Sequence, residues 1–185
     1  IRDSQSALRL LNLINQILEF RKTETQNKRL CVCKSNIAPL IYEIGLKYKE
    51  LNQKTKIDFR IQIEKEEMLL FFDKEIVTIV LDNLISNAIK YTEQGCITLS
   101  LYQTVRNEVA YTEIKVSDTG YGISAEALPH IFDRYYQESG KHQASGTGIG
   151  LALVKNLVEL HEGEIRAESV QNEGSTFCIS LLTDN

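Results

Sequence analysis

The stretch Gly146-Thr147-Gly148-Ile149-Gly150-Leu151 places three glycines within five residues, directly before a run whose apolar residues have helical spacing. Glycines let the backbone turn sharply and approach a ligand closely. The first N–H groups of the following helix point toward the turn, where the helix dipole favours an anion. The stretch predicts either a phosphate-binding turn or a simple tight turn at the start of a helix, and residues elsewhere in the chain decide between them.

Composition and hydropathy exclude several functions. The chain has 185 residues and a net charge of −4, without the basic stripe that nucleic-acid binding requires. It has no run of about 18 apolar residues that could span a membrane, and its N-terminus lacks a signal-peptide pattern. Because the chain begins at Ile1 rather than Met, we expect it to be part of a longer protein. We expect this part to be cytoplasmic.

The four cysteines do not form a disulfide or zinc pattern. Cys31 and Cys33 are two residues apart in an apolar run, whereas Cys96 and Cys178 are isolated in other apolar runs. No C-x-x-C pair or neighbouring histidine completes a metal site. We therefore expect the cysteines to be buried, reduced thiols.

The hydrophobic pattern indicates a long N-terminal helix. From residue 1 to about residue 21, apolar side chains recur at intervals of three and four and produce one apolar face. This face is too apolar for an isolated helix, so it requires a partner in this chain or in a second copy. The periodic positions are Ala7, Leu10, Leu11, Ile14, Ile17, Leu18 and Arg21. Residues 22–28 are polar and are expected to form a connector.

The rest of the chain mixes strand-like and helical segments, and short turns join neighbouring strands as often as helices do. This order favours an α+β fold, a two-layer sandwich with a mixed, largely antiparallel sheet. The predicted strands are residues 30–34, 57–63, 68–72, 96–104, 109–117, 164–169 and 175–182. The predicted helices are residues 37–52, residues 74–91 with Asp73 as N-cap, and a segment that ends near residue 160. The irregular span 119–150 is long enough to be a functional lid.

Four polar side chains are predicted to share one face of the helix 74–91. Asn83 and Asn87 are four residues apart, and Lys90 and Tyr91 follow three and four residues later. Asparagine is unfavourable inside a helix, whereas its amide oxygen is a hard ligand suited to Mg²⁺. The row predicts a magnesium–phosphate site, with a solvated polar face as the alternative.

A carboxylate and two glycines follow an apolar strand. Asp118 ends the strand, and Gly120, Gly122 and Ile123 come directly after it. A carboxylate in this place can accept a hydrogen bond from an exocyclic amine such as that of adenine, and the glycines leave room for the base. A strand-ending turn is the alternative.

An arginine lies among aromatic residues in the long irregular span. Arg134 is preceded by Phe132 and followed by Tyr135 and Tyr136. Such an arginine can anchor a mobile lid and reach a phosphate. A small hydrophobic cluster is the alternative.

Five motifs occur in a fixed order along the chain. They are Asn83 with Asn87-Ala88-Ile89-Lys90-Tyr91-Thr92, Asp118-x-Gly120-x-Gly122-Ile123, Phe132-x-Arg134-Tyr135, Gly146-x-Gly148-x-Gly150-Leu151, and Gly174-Ser175-Thr176-Phe177. Together they resemble the ATP-binding catalytic domain of sensor histidine kinases, within the GHKL superfamily, over roughly residues 30–182. The resemblance implies a Bergerat-type α/β sandwich with three main helices and an ATP lid.

The resemblance implies that the matching residues bind ATP and Mg²⁺. Asn87 would bind the metal, Asn83 would help to hold the metal and the phosphates, and Lys90 and Arg134 would contact phosphates. Asn87, Lys90 and Arg134 are thus the implied catalytic residues. Asp118 would bind the adenine amine. The other implied nucleotide contacts are Tyr91, Gly120, Gly122, Ile123, Phe132, Gly146, Thr147, Gly148, Gly150, Leu151 and Thr176, of which Thr176 would lie close to Asp118.

Asn83 distinguishes two activities within the superfamily. Relatives that hydrolyse ATP have a glutamate at this position, and an amide cannot take a proton from water. The resemblance therefore implies a protein-histidine kinase that transfers the γ-phosphate to a histidine. A conformational ATPase and a nucleotide-binding module without kinase activity are the alternatives.

Residues 10–22 resemble the second helix of the dimerisation and phosphoacceptor hairpin. Their sequence is similar to that of hybrid sensors of Bacteroidetes. Residues 1–27 are expected to be this partial hairpin and its linker, and residues 28–185 the catalytic domain. His130, His142 and His161 lack the helical setting of a phosphoacceptor. The implied partners are an acceptor histidine helix of the same or a partner subunit, a response-regulator receiver domain and a second subunit, but no nucleic acid.

Overall fold

The computed structural model describes residues 2–137 and 148–183. Within those residues the chain forms a long N-terminal helix, a two-stranded sheet, and a five-stranded sheet that contacts three helices. The helices are α1 (Arg2–Glu24), α2 (Ala38–Leu51), α3 (Lys74–Tyr91) and α4 (Gly150–Leu160). The strands are β1 (Cys33–Asn36), β2 (Ile57–Ile63), β3 (Leu69–Phe72), β4 (Gly95–Arg106), β5 (Val109–Asp118), β6 (Glu164–Val170) and β7 (Gly174–Leu182).

The larger sheet has the strand order β2-β4-β5-β7-β6. Strand β2 runs parallel to β4, and the other neighbours are antiparallel. The β4–β5 hairpin turns through Asn107 and Glu108, which both have positive φ. The predicted α+β sandwich with a mixed, largely antiparallel sheet is confirmed.

The core lies between one face of this sheet and helices α2, α3 and α4. From the sheet, Leu99, Ile114 and Val116 are buried against the helices. Burying one large aliphatic side chain contributes about 1.5–3 kcal/mol, so the core fixes which face of α3 points inward. The buried residues of α3 are Ile76, Val77, Val80, Leu81, Leu84, Ile85 and Ala88, as the sequence pattern predicts.

Asp73 caps α3 and ties its start to two other segments. Its Oδ1 accepts a hydrogen bond of 3.1 Å from the N–H of Ile76, which confirms the predicted N-cap. Its Oδ2 accepts one of 2.7 Å from the N–H of Cys31, and its own N–H donates to His161 Nε2 at 2.9 Å. The side chain is buried, so these bonds replace the water that the carboxylate loses on folding.

The first strand lies later in the chain than the hydrophobic pattern predicts. The pattern predicts residues 30–34, whereas β1 spans Cys33–Asn36 and pairs antiparallel with β3. A strand extends only where a partner strand offers hydrogen bonds, and β3 offers them to these four residues. Leu30 and Val32 precede the strand and are more than one-third exposed.

The expectation of buried cysteines is wrong for most of them. Cys31 and Cys33 are exposed, Cys96 is half-buried, and Cys178 alone is buried; all four are free thiols. Cys31 precedes β1, and Cys33 begins it in a sheet of only two strands. Neither is therefore covered by a second layer.

Helix α1 ends at Glu24 rather than near residue 21, and its C-terminal half packs against α4. Phe20 is buried in the core, and Asn156 Nδ2 of α4 donates a hydrogen bond of 3.1 Å to Thr23 Oγ1. Most of the predicted apolar face stays 40–58% exposed, namely Leu10, Leu11, Ile14, Ile17 and Leu18. Among the described residues, no helix combines the length and apolarity needed to cross a membrane.

Candidate functional site

Helix α3 presents the predicted polar row beside its buried face. Asn83, Asn87 and Lys90 are all half-buried. Lys90 Nζ lies 5.2 Å from the centre of the Tyr91 ring, and burial lowers the pKa of Lys90. A nearby anion would favour the charged form of this lysine, which burial disfavours. The row therefore suits an anionic ligand.

The amide of Asn83 joins α3 to two other helices. Asn83 Oδ1 accepts a hydrogen bond of 2.8 Å from Gln16 Nε2 of α1, and Asn83 Nδ2 donates one of 2.9 Å to the Ile79 carbonyl. Gly150 begins α4 beside this amide, since a Cβ atom at Gly150 would lie 3.0 Å from Asn83 Oδ1. The structure thus brings the polar row together with the helix start that follows the glycine run.

Asp118 ends β5 with its carboxyl group held by backbone donors. Its Oδ1 accepts hydrogen bonds from the N–H of Gly120 at 2.9 Å and from the N–H of Ser175 at 3.3 Å. Burial raises the pKa of Asp118, and these hydrogen bonds oppose the rise. The two donors fix the orientation of the carboxyl group.

Gly120 packs directly on the last turn of α3. A Cβ atom at Gly120 would lie 2.3 Å from the Tyr91 carbonyl oxygen and 2.7 Å from Thr92 Oγ1. The neighbouring Tyr121 N–H donates a hydrogen bond of 3.1 Å to the same carbonyl. Only a residue without a side chain lets the Asp118 loop come this close to α3.

Lys54 is a contributor to this region that sequence reasoning missed. Its Nζ donates hydrogen bonds to the carbonyls of Ile89 at 2.5 Å and Thr92 at 2.8 Å. A cation at the C-terminus of a helix also interacts favourably with the helix dipole. Lys54 therefore fixes the last turn of α3, which carries Lys90 and Tyr91. The contact spans 35 residues for Ile89, and no local signal in the sequence indicates it.

The register of β5 and β7 corrects the predicted neighbour of Asp118. Ser175 is paired with Asp118, whereas Thr176 is paired with Ser117 and so points to the opposite face of the sheet. Thr176 Oγ1 donates a hydrogen bond of 3.1 Å to Ser117 Oγ. The structure thus places Ser175, and not the side chain of Thr176, beside Asp118. The alternation of side chains along a strand could have shown this once the register was known.

The second glycine after Asp118, Gly122, turns the chain against β6. Gly122 has a φ of +66°, and a Cβ atom there would lie 2.1 Å from the Val170 carbonyl oxygen. The next residue, Ile123, donates its N–H to Ser169 Oγ at 2.7 Å and packs partly buried against the core. These contacts hold the start of the irregular span on the sheet.

The described part of the irregular span brings Arg134 to α1. The Arg134 guanidinium forms an ion pair with Glu24, and its centre lies 5.0 Å from the Phe20 ring. The Tyr135 N–H donates a hydrogen bond of 2.9 Å to the carbonyl of Gly148, which has a φ of +68°. The two described segments on either side of residues 138–147 therefore meet at this hydrogen bond.

Of the remaining predicted site residues in and after the irregular span, the structure describes some and not others. Phe132 meets Phe177 edge-on with ring centres 6.3 Å apart, and Leu151 packs partly buried against the core. Gly146 and Thr147 lie outside the described residues, so their predicted phosphate contacts stay predictions.

The two described histidines, His130 and His161, occupy settings unlike that of a helical phosphoacceptor. His130 ends a short 3-10 turn and lies 3.1 Å from Asp133 Oδ2. His161 follows α4 and accepts a hydrogen bond from the N–H of Asp73. His142 lies outside the described residues.

The fold of this chain is similar to the folds of solved histidine kinase structures. The catalytic domain of histidine kinase ThkA superimposes with a TM-score of 0.70 at 25% identity, over 84% of this chain and 97% of that one. Full-length ShkA in complex with AMPPNP gives a TM-score of 0.81 at 22% identity, over 96% of this chain and 36% of that one. The fold is that of a histidine kinase catalytic domain.

The sequence then gives the family. Residues 72–185 match the profile described as histidine kinase-, DNA gyrase B-, and HSP90-like ATPase. The chain belongs to this family, which confirms the family expected from the five motifs.

Similar full-length proteins are much longer than this chain. Histidine kinase P4 of Formosa agariphila is 34% identical over 95% of this chain, which covers 13% of that protein. Sensor histidine kinase WalK of Bacillus subtilis is 30% identical over 97% of this chain, and RcsC of Escherichia coli is 32% identical over 96%. The chain spans 29% of WalK and 19% of RcsC.

Proposed function

We propose that this chain is the ATP-binding catalytic region of a two-component sensor histidine kinase. It transfers the γ-phosphate of Mg·ATP to a histidine on a helix outside these 185 residues. The observation that carries the proposal is the convergence of three motifs on α3, where Gly150 contacts Asn83 and Gly120 contacts Tyr91 beside Asp118. The family match and the kinase relatives support the same activity.

The base of the nucleotide lies at the Asp118 end of the site. The Asp118 carboxylate accepts a hydrogen bond from the exocyclic amine of adenine, and Tyr91 lies near the base or ribose. Guanine has an acceptor oxygen in place of that amine, so the carboxylate disfavours it. Ser175 supports the same carboxylate through its N–H at 3.3 Å.

The phosphates lie toward Lys90, Arg134 and the start of α4. Lys90 and Arg134 neutralise phosphate charge, and the first N–H groups of α4 donate to the phosphate oxygens. The lowered pKa of Lys90 supports this assignment, because a half-buried lysine gains most from an anionic ligand.

The donor set fits Mg²⁺ better than a softer metal. Asn87 offers an amide oxygen, and Mg²⁺ in nucleotide sites takes few protein ligands while keeping waters and phosphate oxygens. Within residues 2–137 and 148–183, no group of three or more His, Cys, Asp or Glu side chains is placed to hold a metal. When bound, Mg²⁺ would supply charge neutralisation at the β- and γ-phosphates.

Catalysis in this proposal depends on positioning and charge rather than on a base within the chain. Asn83 cannot accept a proton from water, so water attack on ATP lacks a base at this position. Lys90 and Arg134 hold the γ-phosphate for in-line attack by the histidine nitrogen, and Asp118 fixes the base at the other end. The group that accepts the histidine proton belongs to the partner helix.

The proposed partners follow from the reaction. They are an acceptor histidine helix of the same or a partner subunit, and a receiver domain that takes the phosphoryl group from the histidine. A homodimer of the whole protein would bring these parts together. We place the catalytic region in the cytoplasm, where ATP is available.

The test supplies an acceptor hairpin from a related kinase in trans, together with ATP labelled at the γ-phosphate and Mg²⁺. The expected result is acid-labile, base-stable label on the hairpin and little free phosphate. A hairpin in which the acceptor histidine is replaced by alanine is the control and should stay unlabelled. Free phosphate without labelled hairpin would favour an ATPase, and binding without either product would favour a nucleotide-binding module.

A further inference from the structure

Ser169, a half-buried residue of β6, contacts three segments at the end of the site to which we assign adenine. Its Oγ accepts a hydrogen bond of 2.7 Å from the N–H of Ile123, in the loop that follows Asp118. The same Oγ lies 2.8 Å from Ser175 Oγ on β7 and 2.9 Å from the Gly174 carbonyl oxygen. One side chain outside the five motifs therefore joins the β6–β7 turn to the loop of the predicted adenine contact.

These three contacts use the whole hydrogen-bonding capacity of the Ser169 hydroxyl, which has one donor and two acceptor sites. Because a carbonyl only accepts, Ser169 donates its hydrogen to Gly174, and it accepts one from the Ile123 N–H. The remaining acceptor site takes the hydrogen of the Ser175 hydroxyl. Removing the Ser169 hydroxyl would thus leave two donors without their partner.

Ser175 connects Ser169 to Asp118. Ser175 is paired with Ser169 on one side and with Asp118 on the other, and its N–H donates a hydrogen bond of 3.3 Å to Asp118 Oδ1. Ser175 is only 8% exposed, so water does not readily replace the hydroxyl of Ser169 as its partner. A shift of Ser175 would therefore move one of the two backbone donors that orient the Asp118 carboxyl group.

The backbone of the β6–β7 turn also lies close to the Asp118 loop. A Cβ atom at Gly174 would lie 2.0 Å from the Asp118 carbonyl oxygen. The Asn172 N–H donates a hydrogen bond of 2.6 Å to the carbonyl of Tyr121. Because the turn and the loop touch along their backbones, a change in the position of the turn is transmitted to Asp118.

We propose that Ser169 is a positioning residue for adenine recognition. Its hydroxyl holds Asp118 through Ser175, and it holds Ile123 directly. This inference rests on the proposed function, because it assigns a supporting residue to the adenine end of the same site. Ser169 acts through the Asp118 carboxyl group rather than on the nucleotide, and the phosphate end at Lys90 does not depend on it.

The experiment compares two nucleotides that differ at position 6 of the base. Calorimetry with Mg²⁺ measures the affinity of the 185-residue chain for non-hydrolysable analogues of ATP and of inosine triphosphate. Inosine has an oxygen in place of the adenine amine, so it cannot donate to Asp118. We expect Ser169→Ala to weaken binding of the ATP analogue about three- to tenfold, the size of one misplaced hydrogen bond, and that of the inosine analogue less than about twofold.

Two further variants show whether the hydroxyl at this position is responsible. Ser169→Thr keeps the hydroxyl and should bind the ATP analogue as the unmodified chain does. Ser100→Ala removes the hydroxyl of another half-buried serine, on β4, and should leave both affinities unchanged. An equal loss for the two nucleotides in Ser169→Ala, or no loss for either, would overturn the proposal.

The phosphoryl-transfer assay separates positioning from a loss of folded protein. Ser169→Ala should raise the KM for ATP about three- to tenfold and leave the rate at saturating ATP unchanged, because Lys90 and Arg134 at the phosphate end are untouched. A variant that is only less folded would instead lower the saturated rate at an unchanged KM. That second result would reject the positioning role.

Failure of the positioning role and failure of the proposed function give different results. If the unmodified chain binds no ATP analogue, the proposed function is wrong. If it binds the analogue and Asp118→Asn weakens that binding, while Ser169→Ala behaves like Ser100→Ala, the nucleotide site stands and the role of Ser169 alone is rejected.

Discussion

Gly120 lies against Tyr91 so closely that a Cβ atom at Gly120 would come within 2.3 Å of the Tyr91 carbonyl oxygen. The same loop carries Asp118, whose Oδ1 accepts a hydrogen bond from the Gly120 N–H at 2.9 Å. The position of the proposed adenine contact therefore depends on the last turn of α3. A change at either partner should move the carboxylate.

Gly120→Ala tests this relationship. The added methyl group must push the loop from α3, because the nearest atom, the Tyr91 carbonyl oxygen, belongs to the backbone and cannot rotate away. We expect a loss of about 2 kcal/mol in the free energy of unfolding, as for other strained backbone sites. We also expect at least about a tenfold loss in ATP affinity, since the Asp118 hydrogen bond to adenine is misplaced. Denaturant unfolding and calorimetry measure the two quantities separately, and an unchanged ATP affinity would contradict the assignment of Asp118.

Asn87→Asp tests the metal and phosphate end. The side chain keeps nearly the same shape, but a negative charge then faces phosphates, so we expect weakened or nonproductive nucleotide binding. A tenfold or greater loss of affinity is about 1.4 kcal/mol or more. Calorimetry with and without Mg²⁺ shows whether the metal dependence changes as well. Asn12→Asp on the exposed part of α1 is the matched control and should bind as the unmodified chain does.

Part of this arrangement can be predicted from the sequence, because it depends on residues that are close together in the chain. The boundaries of α3, its seven buried residues and its Asp73 cap follow from side-chain periodicity and one capping residue, and the structure confirms them. Strand ends are harder to predict because the partner strand sets them, which is why β1 begins at Cys33 rather than at residue 30. Pairing of Asp118 with Ser175 rather than Thr176 depends on a register between segments 57 residues apart.

The contacts of Lys54, Gln16 and Glu24 could not be predicted in this way. Each joins its partner across a separation of 35 to 110 residues, and none belongs to the five nucleotide-binding motifs. In the sequence, such polar residues are indistinguishable from solvent-exposed ones. Their hydrogen-bond and ion-pair partners are known only from the tertiary structure. A resemblance to a family identifies motif residues but not these supporting contacts.

Lys54→Met tests the support of α3 from outside the motifs. The change keeps the aliphatic stem and removes two hydrogen bonds from a charged donor to the carbonyls of Ile89 and Thr92. We expect a loss of about 2 kcal/mol in the free energy of unfolding, since a hydrogen bond to a charged group contributes about 1.5–3 kcal/mol net and Lys54 is only half-buried. Lys56→Met, at an exposed lysine two residues away, should change stability by less than about 0.5 kcal/mol. Equal stability of the two variants would contradict the capping role of Lys54.

The lowered pKa of Lys90 predicts how nucleotide binding depends on pH. Burial lowers the pKa of Lys90 in the free chain, and a bound phosphate would raise it again by favouring the charged form. Binding should therefore take up protons at alkaline pH, and ATP affinity should fall as the pH rises through the free-state pKa, below the ordinary value of about 10.4. Calorimetry in buffers of different ionisation enthalpy measures the proton uptake directly. Lys90→Met should bind more weakly at neutral pH and lose the alkaline fall, because no titrating ammonium remains beside the phosphates. If the fall persists in that variant, another group causes it and Lys90 is not the phosphate ligand.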